Sequence, residues 1–145
     1  MMTVFQKLNL KDQTEIVVLN APESFEPDVA SLQGVKIVRS LDDPGQATFS
    51  LVFVITQKDL DTLGKAVAKK AKGDAIVWFA YPKGTSKKYK SEISRDHGWD
   101  LLRKAGFETV RSIAIDEDWT GLRFRRTEFI KSMTSAEGKA RAGKK

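Results

Sequence analysis

The segment Glu15-Ile-Val-Val-Leu-Asn20-Ala-Pro-Glu-Ser-Phe25 constrains the fold more than any other part of the chain. Four consecutive apolar residues bounded by polar ones suit a strand buried on both faces, as in the middle of a parallel sheet. Asn20-Ala-Pro then breaks the strand. Ser24 is of a residue type that caps helices, Pro27 suits a first helical turn and Gly34 suits the position past a helix end. The segment therefore predicts the first strand and βα turn of a Rossmann-like domain.

The rest of the chain repeats this alternation. Val35–Arg39 reads as a second strand, followed by the turn cluster Leu41-Asp-Asp-Pro-Gly-Gln46. Thr48–Thr56 is the strongest strand signal. In Lys58–Ala71 the apolar residues Leu60, Leu63, Val67 and Ala71 recur at helical spacing, and the lysines gather near the C-terminal end, where the helix dipole favours them. Ala75–Tyr81 is a further apolar strand, stopped by Pro82 and Gly84. A helix is expected at about Ser94–Ala105, with Gly106 as its stop. Phe107–Ile115 and Leu122–Phe129, joined by Asp116-Glu-Asp-Trp-Thr-Gly121, predict an antiparallel hairpin. Ahead of all these, Phe5–Lys11 reads as the end of a short helix closed by Asn9. The expected fold is an α/β, Rossmann-like three-layer sandwich. Its sheet has about five or six mostly parallel strands and a C-terminal antiparallel hairpin.

With 145 residues, 41% apolar and 30% charged, the chain has the composition of one soluble globular domain. A single domain over residues 1–130 and a basic, disordered tail over 131–145 are expected. The absence of cysteine removes disulfides, thiolate metal sites and cysteine nucleophiles, and fits a cytoplasmic location. The first residues lack the apolar core of a signal peptide, and no apolar run is long enough for a membrane helix. The net charge of +6 is carried by the tail and by the loop Lys83–Lys90, leaving the body slightly acidic. The basicity is thus a property of two appendages.

The order of elements resembles the class I methyltransferase fold with one helix and strand removed from its middle, since only Leu41–Gln46 separates strands two and three. Lys70–Asp74 stands where that fold has a glycine-containing turn, Ala75–Tyr81 where it has an apolar strand, and Glu108–Phe129 where it has its terminal hairpin. Four segments carry a second resemblance, to a family of small, mainly bacterial α/β proteins of uncharacterised function. They are Leu19–Phe25, Tyr81–Ser86, Asp96–Trp99 and Ala114–Phe124, and the likeness runs over residues 5 to 127. The methyltransferase resemblance implies a fold and does not by itself imply an activity.

The residues at the implied cofactor position argue against that activity. Enzymes of this fold bind S-adenosylmethionine over a glycine-rich turn after strand one, where backbone approaches the cofactor closely. Here no glycine lies between Asn20 and Phe25, and Pro22 removes an N–H donor. The acidic ribose ligand usual near the end of strand two is replaced by Arg39-Ser40, with Asp42 and Asp43 following in the turn. Strand three ends Ile55-Thr-Gln57, without the Asn/Asp-Pro-Pro-Tyr/Phe motif of amino-methylating enzymes. Neither dinucleotide nor P-loop glycine patterns occur. No catalytic residue, cofactor or metal is expected.

Three readings stay open. The first is a non-catalytic methyltransferase-like domain that binds a small polar ligand or a partner. Ligands of open α/β sheets sit at the carboxyl ends of the strands, which here offer Asn20, Glu23, Ser24, Thr56, Gln57 and Lys83. The same residues could instead cap and tie loops. The second is a methyltransferase with an altered cofactor turn. The third is a nucleic-acid-associated protein using Lys87, Lys88, Tyr89, Lys90 and the tail. The lone His97 has no companion triad motif. Asp116–Asp118 suits a turn better than a metal site. Trp119 either folds back onto the sheet or is exposed for a partner. Monomer and homodimer are equally compatible with the sequence.

Overall fold

The computed structural model describes residues 3–11, 13–41, 48–71, 73–94 and 97–133. Asp42, Asp43, Asp96 and the tail beyond 133 lie outside the described residues. The elements run α1 (Val4–Lys7), β1 (Glu15–Leu19), a 3-10 turn (Glu23–Phe25), α2 (Glu26–Ala30), β2 (Lys36–Val38), β3 (Phe49–Phe53) and α3 (Gln57–Lys70). β4 (Ile76–Pro82), α4 (Asp100–Lys104), β5 (Phe107–Ala114), β6 (Trp119–Arg126) and α5 (Thr127–Met133) follow.

The strands form a six-stranded sheet in the order β2-β1-β3-β4-β6-β5. β2, β1, β3 and β4 pair in parallel, and β6 pairs antiparallel with both β4 and β5. The expected mostly parallel Rossmann-like sheet with an antiparallel C-terminal hairpin is what the chain forms. β5, the earlier strand of the hairpin, takes the edge, and β6 is inserted between it and β4.

The period of two along each strand sends alternate side chains to two cores. Val17 and Leu19 join Val52, Val77, Phe79, Leu122 and Phe124 on one face, under Leu60 and Val67 of α3 and Leu102 of α4. Ile16 and Val18 join Phe49, Leu51, Phe53 and Trp78 on the other, under Phe5 and Leu8 of the N-terminal segment and Phe25 and Val29 of the 3-10 turn and α2. The Trp78 Nε1 donates to the Leu8 carbonyl at 2.8 Å, which fixes α1 to the sheet. Asn9 closes α1 in the left-handed region at φ 67°, as its residue type suggests. Arg126 extends over the Phe107 ring, 4.5 Å from its centroid, and donates to the last carbonyls of α3, at Ala68 and Ala71. A cation placed there satisfies groups the helix leaves unpaired.

Several local expectations shift. Ser24 caps nothing: the short helix begins at a 3-10 turn whose N-cap is Pro22, with no side-chain cap bond. The helix expected from Ser94 is confined to Asp100–Lys104, because Ser94 and His97 pair with each other through their backbones and Gly98 turns at φ 106°. The second hairpin strand starts three residues early, at Trp119, and ends at Arg126, so that Phe129 lies in α5. α5 extends to Met133, three residues past the boundary drawn from composition.

Gly98 is required by geometry. A Cβ there would stand 2.8 Å from the Gln57 Oε1, in a backbone conformation that L side chains avoid. Gln57 cannot easily yield, since its Nε2 is held by Asp61 Oδ1 and by the Gly98 carbonyl, both at 2.9 Å. Gly98→Ala is expected to destabilise the fold by about 1–3 kcal/mol; chemical denaturation of the variant measures it.

Candidate ligand crevice

At the carboxyl end of β1 the chain reverses without a glycine because Asn20 itself takes the left-handed conformation, at φ 58°. A short polar side chain tolerates this better than most. The turn is packed from beneath. The Phe25 amide donates to the Pro22 carbonyl at 2.9 Å, and the Phe25 ring is buried 5.0 Å from Phe53 and 5.6 Å from Phe5.

Asn20 and Pro22 form one side of a crevice of about 280 Å³. Phe53 and Ile55 reach it from the end of β3, Asp59 from the first turn of α3, Tyr89 from the loop after β4, and Trp119 from the start of β6. The crevice lining thus combines aromatic and apolar side chains with one amide residue, Asn20, and one carboxylate residue, Asp59. It sits at the strand ends where open α/β sheets place ligands.

Trp119 resolves in favour of the sheet. It is 2% exposed, edge-on to Phe53 with ring centroids 5.1 Å apart, and 5.0 Å from Tyr89. The Asp116 carboxylate holds it there: Oδ1 accepts from the amides of Asp118, at 2.8 Å, and Trp119, at 2.9 Å. The acidic cluster therefore works as a turn, and among the described residues no group of three metal-ligating side chains comes together. The Trp119 Nε1 is buried without any hydrogen-bond acceptor. The chain's other two indoles are satisfied, Trp78 by Leu8 and Trp99 by the Ser94 carbonyl at 2.7 Å.

The residues expected to form one polar cluster are divided. Asn20 lines the crevice. Glu23 and Ser24 are exposed on the 3-10 turn and do not line the crevice. The Thr56 Oγ1 caps α3 by accepting from the Asp59 amide at 3.0 Å. Gln57 is engaged with Asp61 and Gly98, and its own amide donates to Glu92 Oε1 at 2.8 Å. Lys83 lines a separate, larger basin of about 770 Å³ with Tyr81, Ser86, Lys90 and Thr120. Tyr89 is the wall common to both. Sequence reading missed Asp59, although Thr56-x-x-Asp59 is a helix-start pattern that puts the acid on the first turn. It also missed Glu92, which has no local signature.

The basic loop is tied down more than its composition suggests. The Ser86 hydroxyl donates to Asp118 Oδ1 at 2.9 Å and accepts from the amides of Lys88 and Tyr89. Glu92 and Ser91 donate to the Ile55 carbonyl. Lys87, Lys88 and Lys90 are exposed, with the Lys88 Nζ 5.7 Å from the Tyr89 ring centre. The Tyr89 ring packs on Trp119 and so is already stacked within the protein. His97 is exposed in a third hollow, with Gln57, Asp61, Asp100 and Lys104. Arg39, just past the end of β2, forms a two-pronged ion pair with Glu26 of α2 at 2.8 and 2.9 Å. The hydrogen bond from Arg39 holds the Glu26 carboxyl below its ordinary value. This contribution to stability is present above the usual carboxylate range and is lost as pH falls through the lowered value. No described helix is long and apolar enough to cross a membrane.

No protein-family model and no curated protein matches the chain, so the second resemblance, to the uncharacterised bacterial family, rests on its four segments alone. The fold does match solved structures. A SAM dependent methyltransferase from Aquifex aeolicus is 12% identical, with 85% of this chain and 87% of that one aligned at a TM-score of 0.58. PigF with SAH is 10% identical over 85% of this chain and 60% of that one, at 0.57. LepI in complex with SAH and a substrate analogue is 10% identical at 0.51, and this chain spans 38% of its length. At such identities the likeness is one of fold: the chain has a methyltransferase-like α/β Rossmann fold, formed without the glycine turn.

Proposed function

We propose that this domain is a methyltransferase-fold binding module without methyl transfer. Its ligand is a small molecule of amino-acid size, carrying an amine and a carbonyl or carboxylate, held in the crevice between Asn20 and Trp119. The observation that carries this reading is Trp119, a residue that lines the crevice and whose buried Nε1 has no hydrogen-bond partner. A buried donor left without an acceptor costs about 1–3 kcal/mol, and such a group in a native fold calls for an explanation. An acceptor on the ligand would supply the missing partner, the Asn20 amide would reinforce it, and the Asp59 carboxylate would take the amine. The volume of about 280 Å³ lies just below the usual 300–1,000 Å³ range of drug-sized ligand pockets, which suits a small guest.

The second reading is an S-adenosylmethionine-dependent methyltransferase with an altered turn. The fold likeness favours it, several of the similar structures being described with SAM or SAH bound. On this reading the crevice takes the amino-acid end of the cofactor. The adenosyl end would then lie toward β2, where Arg39 is engaged by Glu26 and where backbone approach is obstructed by Pro22.

Isothermal titration with SAM, SAH and free methionine separates the two. The binding module is expected to give SAM no advantage over methionine. Micromolar SAM or SAH binding, much tighter than methionine, would replace it with the second reading.

A further inference from the structure

On the outer half of the sheet, away from both the crevice and the basic loop, the hairpin gathers arginines on one face. Register places Arg111 of β5 directly opposite Arg123 of β6, and Arg125 follows two residues on. Gly121, Arg123 and Arg125 share the face of Trp78, because a Cβ on Gly121 would meet the Trp78 ring and Ile115 at 3.3 Å. Like charges directly opposite across an antiparallel pair repel. Arg125 has a carboxylate partner: its Nε donates to Asp74 Oδ1 at 2.7 Å, with a second bond to Oδ2. Glu108, opposite Arg125 in register, turns instead to Arg103 at 3.3 Å.

Arg123 is half-buried, and its Nε is sealed from water with no acceptor. Burial foremost, then Arg125 and, more weakly, Arg111 push its guanidinium below the ordinary value, with Asp74 opposing. Arg111 is exposed and has no acidic partner among the described residues. Among the described residues neither Arg111 nor Arg123 is hydrogen-bonded to a carboxylate, and Asp74, paired with Arg125, offsets Arg123 only in part; the two arginines stand opposite each other beside the register shift between Thr109 and Arg111, and Arg123 keeps an unmet donor.

We infer that Arg111 and Arg123 form a binding site for a phosphate monoester. Its two charges match the two guanidiniums, and its oxygens suit their planar forks. This site shares no residue with the crevice and does not depend on what the crevice binds.

Inorganic phosphate is the probe, titrated at constant ionic strength while the Arg123 Nε–Hε resonance is followed by ¹H–¹⁵N NMR. A saturable shift of Arg123 is expected, weakened at least tenfold in Arg111→Gln. Without phosphate, Arg111→Gln should melt at the same temperature as the parent or higher, because it removes a like-charge neighbour. No saturable shift, or one that Arg111→Gln leaves unchanged, would overturn the assignment. So would a single-stranded oligonucleotide that binds in an Arg111-dependent way while phosphate does not, since that surface would be reading a diester backbone.

Discussion

Replacing Trp99 by alanine is expected to cost about 3–5 kcal/mol of folding stability, a large share of what a domain of this size has. The indole is fully buried where α4 meets the sheet. Its ring packs against Phe79, Tyr81 and Phe124, with centroids 6.0, 5.8 and 5.0 Å away. Its Nε1 also fastens the Ser94 carbonyl, and so anchors the irregular segment between the basic loop and α4. Alanine would leave a large void in one of the two cores and release that segment. Urea unfolding should show a lower midpoint with little change of slope. A midpoint within experimental error of the parent would mean that this face of the sheet is not packed as described.

The second large effect is at Trp119. Trp119→Ala should cost a similar amount, about 3–5 kcal/mol, because the ring is wedged between Phe53 and Tyr89 and closes the end of the other core. Trp119→Phe is the more informative variant. The Trp119 Nε1 has no partner to lose, so phenylalanine removes a buried, unsatisfied donor while keeping an aromatic ring. Its stability should stay within about 1 kcal/mol of the parent, relief of the orphan offsetting the smaller side chain. The same change at Trp78 deletes the bond to Leu8, leaves that carbonyl unpaired and should cost about 1–3 kcal/mol more. Equal losses at the two positions would show that Trp119 has an acceptor after all.

Much of this architecture is legible in the chain because its causes are local. Apolar runs of four or more residues mark β1, β3 and β4, and helical spacing of Leu60, Leu63 and Val67 marks α3. Asn9 and Gly106 end their helices where their residue types predict. What could not be read involves partners distant in sequence. The Gln57 amide is capped by Glu92, 35 positions away, and that contact helps fix the loop carrying Tyr89. The position of β6 between β4 and β5 is a matter of pairing that periodicity does not encode. It carries Trp119 beside Pro82 and so into contact with Phe53. The crevice then draws on five separate segments between residues 20 and 119, which is why sequence inspection can nominate Asn20 but gives Tyr89 an outward-facing role and leaves Trp119 open between the sheet and a partner. The start of the hairpin strand is hidden for a related reason: Thr120 and Gly121 look like turn residues, yet Gly121 is small because Trp78 and Ile115 crowd it.

The fold is methyltransferase-like, and the turn after β1 holds Asn20 and Pro22 in place of glycine while Arg39, just past β2, is ion-paired with Glu26. The crevice is proposed as a site for a small guest, with the Trp119 Nε1 as the unmet donor. The most direct test is the indole region of a ¹H–¹⁵N NMR spectrum, which holds one resonance for each of Trp78, Trp99 and Trp119. Titration with amino acids and their amides should move the Trp119 resonance alone and saturably, with Trp78 and Trp99 held fixed by their backbone carbonyls, and SAM should do no better than methionine. A Trp119 indole indifferent to every small ligand, or one that responds to micromolar SAM, would contradict it.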